Sequence, residues 1–118
     1  MSTLEVSTLY DGTTTVATTY VTNGSAKAWA NINQVGTQAI GDSFLISSIT
    51  DDAVGKSTFT FTNSMANDNF STSLCSANNS MQGIVSQSIS NVKNANLNSS
   101  SAFEDRDNTC LIIVGDLA

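Results

Sequence analysis

The chain contains no histidine and no proline, and only four of its residues are positively charged: Lys27, Lys56, Lys93 and Arg106. Without histidine there can be no Ser-His-Asp or Cys-His nucleophilic arrangement, no histidine metal site and no use of the commonest general base. With a formal net charge of −6, the chain lacks the cationic footprint that phosphate contacts require, so nucleic acid is not an expected partner. No glycine-rich phosphate loop and no Cys-x-x-Cys pair occur, and no cofactor is implied. No apolar run approaches the roughly 20 residues of a membrane span, and no basic region followed by an apolar core opens the chain. Neither membrane insertion nor a secretory signal is expected.

What is present is small and polar. There are 18 serines, 15 threonines and 13 asparagines, against 10 acids and 4 bases. This composition favours strands and turns over helices. The apolar share of 40% and the low charge leave enough surface to bury for folding rather than disorder. A chain of 118 residues reads as one body plus an arm. Four glycosylation sequons, at Asn23, Asn69, Asn78 and Asn98, are what chance supplies in such a composition.

The most informative stretch is residues 26–65. Ala28, Ala30 and Ile32 alternate with Lys27, Asn31 and Asn33, Phe44 alternates with Ile46, and Phe59 and Phe61 stand between threonines. That is the period of half-buried strands. Turn-forming clusters at residues 33–36, 41–42 and 51–55 separate them, so the segment is expected to form consecutive antiparallel strands.

The same stretch resembles tail-fibre and other virion structural proteins of bacteriophages. Ala26, Lys27, Ala28, Trp29, Asn31, Gly36, Ser43, Phe44, Ser47, Ser48, Ile49, Thr50, Asp51, Gly55, Thr60, Phe61, Thr62 and Met65 fit that family's pattern in order. The opening residues 1–9, residues 68–71 and the final Cys-Leu-Ile-Ile-Val-Gly-Asp continue the likeness more weakly. The chain departs from the pattern in lacking a proline after Met65 and in being rich in asparagine after Ala77. The resemblance implies a homotrimer within a virion, in contact with other virion proteins and made in the host cytoplasm. It also implies that the N-terminal piece is the assembly or attachment end, a role that falls on Leu4, Val6 and Leu9.

Residues 1–24 read as the arm and residues 25–118 as the body. In the arm, Leu4, Val6 and Leu9 form an apolar stripe, Asp11-Gly12 signals a turn, and residues 13–21 are dense in β-branched side chains. Such an arm is poorly stable alone and is expected to pair with its own copies or with another protein, the alternative being an ordinary edge strand. Farther along, residues 70–75 read as a strand. Residues 81–97 fit either one helix face or two strands, and the β-branched residues, Gly83 and the intervening Ser and Asn favour strands at 83–89 and 91–97. Glu104, Asp105, Asp107 and Asn108 crowd oxygen atoms together without the glycine and distal glutamate of a calcium loop, and read as a solvated acidic turn. The last strand, residues 110–114, is apolar on consecutive positions, as in a central strand or a subunit contact. Cys75 and Cys110 leave a disulfide open, but in a reducing cytoplasm free, buried thiols are favoured.

The fold expected is therefore all-β: an antiparallel β-sandwich of about seven to eight strands with a short N-terminal arm, assembled as a homotrimer. The function expected is non-enzymatic, because the few acids lie mainly in turn signals rather than as a catalytic pair. Trp29 suits a sugar-stacking platform, but its place in a strand favours the core or a subunit interface. Receptor contacts are expected on the loops, at Asn67, Asp68, Asn78, Asn79, Met81, Phe103, Asp105 and Asp107, which mix hydrogen-bonding and apolar groups suited to host cell-surface glycans. A small tail fibre or tip for host attachment is the leading expectation. A capsid decoration or neck protein on the particle surface is the alternative, and a polysaccharide-cleaving domain stands behind both.

Overall fold

A computed structural model of the chain describes residues 2–77 and 80–118. These residues form ten strands rather than seven or eight: β1 (Thr8–Tyr10), β2 (Thr15–Ala17), β3 (Ala26–Asn33), β4 (Ala39–Phe44), β5 (Ile46–Ala53), β6 (Lys56–Phe61), β7 (Ser71–Ser76), β8 (Met81–Ser88), β9 (Asn91–Leu97) and β10 (Thr109–Val114). One short helix, α1 (Thr19–Gly24), follows β2. Eight of the strands make two four-stranded antiparallel sheets, ordered β4-β3-β10-β7 and β5-β6-β9-β8. The two additional strands lie in the arm, where β1 and β2 pair as a hairpin. The β-branched run after Asp11-Gly12 divides there: Thr15–Ala17 pairs as a strand, and the chain then coils into α1.

The two sheets face each other across one core. Ala28, Ala30, Ile32, Leu111 and Ile113 come from the first sheet, Ile46, Phe59, Phe61 and Val92 from the second, and Met65 and Phe70 close one end. Phe61 and Phe70 meet edge to face with ring centroids 5.6 Å apart. The small alanines of β3 matter, because they leave room between the sheets for the phenylalanines of β6. Each large side chain buried here contributes about 2 kcal/mol of transfer free energy.

Residues 81–97 form two strands with a tight turn between them, so the helix alternative is removed. Gly41 and Asp42 lie inside β4, at an irregularity in its pairing with β3, and not in a turn. Phe44 and Ile46 do not share a face. Between them Leu45 has a φ of 54°, and this left-handed residue turns the chain from one sheet into the other. Ile46 thereby enters the core while Phe44 stays outside, 46% exposed. The strain at Leu45, about 1 kcal/mol or more, is opposed by its packing against the core and by the bond its carbonyl accepts from the Thr62 N–H at 2.9 Å.

Trp29 is not in the core. Its strand neighbours Ala28 and Ala30 point inward, so the period of two puts Trp29 on the outer face, half-buried beside Phe44 and Ile112. The last strand is central, as its composition suggested, and Leu111 and Ile113 are buried. Its other face is open, with Ile112 49% exposed. The cysteines are paired rather than free and buried: Cys75 and Cys110 stand directly opposite on β7 and β10 and form a disulfide with Cα atoms 5.1 Å apart. Antiparallel pairing brings together two residues 35 positions apart in sequence.

Candidate functional site

The sandwich has two unlike ends. One carries the arm, the chain terminus and residues 62–70; the other carries the loops after β3, β5, β7 and β9. At the arm end the Ala66 N–H donates to the Asp116 carbonyl, Met65 bridges to Leu117, and the Gln87 amide holds the carbonyls of Asp68 and Phe70. Asn67 caps its own turn by accepting from the Asn69 N–H at 2.8 Å. Asn67 and Asp68 thus lie on the arm side, apart from Met81, Phe103, Asp105 and Asp107.

In the arm, Leu4, Val6 and Leu9 line one shallow hollow together with Val21 and Thr18. Thr18 ties the preceding segment down, its hydroxyl within 3.1 Å of the carbonyls of Val6 and Ser7. No residue of the described arm is buried, and Leu4 is 84% exposed. The hairpin turn is held by Asp11, whose carboxylate accepts from the N–H groups of Thr14 and Thr13 at 2.7 and 2.9 Å. Those bonds, Thr14's first, hold its carboxyl below the ordinary range. Where arm meets body, the Lys27 ammonium donates to both the carbonyl and the hydroxyl of Ser25 at 2.9 Å.

At the far end, loops are fixed by a polar network inside the sandwich. Asn96 donates to Gln34 Oε1 at 2.6 Å and to Thr109 Oγ1 at 2.8 Å, and accepts from Gln82 at 2.6 Å. Gln34 in turn donates to Ser57 Oγ at 2.6 Å and accepts from the Arg106 N–H at 3.2 Å. Gln34, Ser57, Asn94, Asn96 and Thr109 are all essentially inaccessible to solvent. The loop after β3, the strands β6, β8 and β9, and the start of β10 are therefore clamped together by polar side chains. The available signal was the alternation of Val92, Asn94 and Asn96, which share one face of β9.

Gly55 closes this clamp. It has a φ of +68°, and a Cβ there would stand 2.7 Å from the Asn96 carbonyl oxygen and 2.7 Å from the Glu104 nitrogen. Its N–H donates to Asp105 Oδ1 at 2.6 Å, so Asp105 is a half-buried structural acceptor. Glu104 pairs with Arg106 at 3.2 Å. Among the described residues no three acidic or cysteine side chains cluster closely enough to hold a metal ion. Asp107 is exposed. Leu97 pairs with Met81 on one side and bridges to Phe103 on the other, so the three stand in a row with Leu97 in the middle. The Lys56 ammonium sits 3.9 Å from the Phe103 ring centroid. Asn78 and Asn79 lie outside the described residues.

The far end thus presents an apolar row, Met81, Leu97 and Phe103, beside a cation, a carboxylate and the amide and hydroxyl groups of residues 98–108. Such a surface can stack and hydrogen-bond. Compared with protein-family models, curated proteins and solved structures, the chain matches none.

Proposed function

We propose that the chain is a non-enzymatic virion structural protein of a bacteriophage, a small trimeric tail fibre or tip in which the arm assembles or attaches the copies and the opposite end meets the host surface. The observation that carries this reading is the polarity of the molecule. Its extents are 51 × 29 × 24 Å, and strands of six to eight residues span only about 20–26 Å. The arm therefore supplies much of the length. The radius of gyration of 16.7 Å likewise exceeds the about 13.5 Å of a compact chain of this size.

An exposed arm without a core of its own is stabilised only by what it packs against. Three arms meeting through Leu4, Val6 and Leu9 bury that apolar face and point three far ends in one direction. Weak contacts to host glycans at Met81, Phe103 and Asp107 then add through effective concentration. The disulfide, with Cys75 exposed, suits the oxidising exterior of a released particle better than a reducing cytoplasm. Asn67 and Asp68, beside the arm, belong with assembly rather than with the receptor.

The test is immunogold electron microscopy of the phage that encodes the chain, with antibody to residues 25–118. Label at tail or fibre ends supports attachment. Label over the head or neck replaces it with a particle-building role.

A further inference from the structure

The outer face of the β4-β3-β10-β7 sheet has an organisation of its own. Pairing aligns Phe44, Trp29, Ile112 and Ser73 in one row across the four strands, and Asp42, Asn31, Cys110 and Cys75 in the next. The first row steps from large side chains down to a serine. A hollow of about 450 Å³ opens there, lined by Trp29, Asn31, Ser73, Ile112 and the cystine. Its volume lies within the roughly 300–1,000 Å³ of small-ligand sites, and its make-up matches theirs: an aromatic and aliphatic surface with a few polar groups at its margin.

We infer that this hollow binds one or two rings of a neutral saccharide, with the apolar face of a pyranose on Trp29 and Ile112 and its hydroxyls against the Asn31 amide and the Ser73 hydroxyl. Three features choose a sugar over a second copy of the chain. A sheet-to-sheet contact calls for interdigitating side chains, whereas the surface here is concave beside Ser73. An aromatic ring flanked by amide and hydroxyl groups is complementary to a molecule with one apolar face and a polar rim. On the function proposed above, moreover, assembly falls to the arm. Charge narrows the class: Asp42 is the carboxylate on this face, and with a net charge of −6 the protein repels acidic sugars.

The site lies on the flank of the sandwich, away from Met81 and Phe103, and the inference depends on the host-attachment reading only for where the sugar comes from. Trp29 is the only tryptophan, so its fluorescence reports this site alone. The full chain is titrated with lactose, cellobiose and chitobiose, with sialyllactose as the acidic comparison and glycerol as the blank. The result expected is a saturable change in emission with at least one neutral disaccharide, half-complete at about 1 mM, and weaker with sialyllactose. Asn31→Ala keeps the reporter and raises the half-saturation about tenfold, while its urea midpoint stays that of the parent. Ile112→Lys fills the hollow and abolishes the change.

No response to any neutral disaccharide overturns the inference, as does a response that Ile112→Lys leaves intact. Emission that shifts with protein concentration alone, together with a rising mass that Ile112→Lys abolishes, overturns it in favour of a second copy on this face. Sugar binding with immunogold label over the head keeps this site and refutes host attachment; absent binding with label at fibre ends does the reverse.

Discussion

Replacing Asn96 by alanine should be among the most damaging single changes that touch no apolar core residue. Its side chain is wholly buried and makes three short bonds, to Gln34, Thr109 and Gln82. Each is worth about 1 kcal/mol net, and a donor or acceptor stranded without water costs about 1–3 kcal/mol more. Gln34 Oε1 retains the Arg106 N–H and the Thr109 hydroxyl. The Gln82 amide lies toward the open groove between β7 and β8 and recovers part of its loss from water. The sum is about 3–5 kcal/mol, a large share of the about 5–15 kcal/mol of a typical domain. In urea, with a slope of about 2 kcal/mol per molar, the midpoint falls by about 2 M. Thr109→Val, which keeps shape and removes one hydroxyl, should cost about 1–2 kcal/mol and serves as the measurable partner if Asn96→Ala does not fold. A loss below about 1 kcal/mol for Asn96→Ala, or equal losses for the two variants, would refute the view that this network clamps the far end.

Other expectations follow from single contacts. Gly55→Ala forces a Cβ against backbone atoms of Asn96 and Glu104 in a left-handed conformation, and should destabilise by more than about 1 kcal/mol; hydrogen exchange at the Gly55 amide and in residues 102–107 would report the loosened loop. Because the Asp11 carboxyl lies below its ordinary value of 3.8, the hairpin turn gains stability that is complete above that value and is lost as pH falls through the folded value; the Thr13 and Thr14 amide resonances should stay fixed at neutral pH and move only on acidification below 3.8. Reduction of the disulfide frees a loop with a sequence separation of 35 and should lower stability by about 2–4 kcal/mol, read as a urea midpoint with and without reductant; an unchanged midpoint would mean that the bond constrains little.

Much of the body is legible in the period of two. Ala28, Ala30 and Ile32, and Phe59 with Phe61, alternate and are buried as that period requires. What alternation does not decide is which of two faces turns inward. A tryptophan has more to gain from burial than an alanine, yet β3 buries its alanines because Phe59 and Phe61 already fill the space between the sheets, and Trp29 is left outside. Nor does alternation survive a corner: at Leu45 one left-handed residue separates the fates of Phe44 and Ile46. The strand at residues 91–97 is as expected, but the burial of its asparagines is not signalled. Composition treats Asn as a turn residue, but Asn94 and Asn96 follow Val92 on one face and carry their hydrogen bonds inside. The pairing of Cys75 with Cys110 depends on β7 lying beside β10, a neighbourhood set by the whole topology. Of the candidate site residues, Leu4, Val6 and Leu9 converge on one hollow, and Met81 and Phe103 flank Leu97 at the other end. Asp105, expected on a receptor loop, instead accepts from the Gly55 N–H.

Whether the arm joins copies of this chain is read from mass by light scattering on the full chain and on one lacking residues 1–18, both at micromolar concentration. Three times the chain mass of 12.3 kDa is expected for the full chain and a single folded chain for the truncated one. A full chain that runs as one copy, or a truncated chain that remains trimeric, would contradict it.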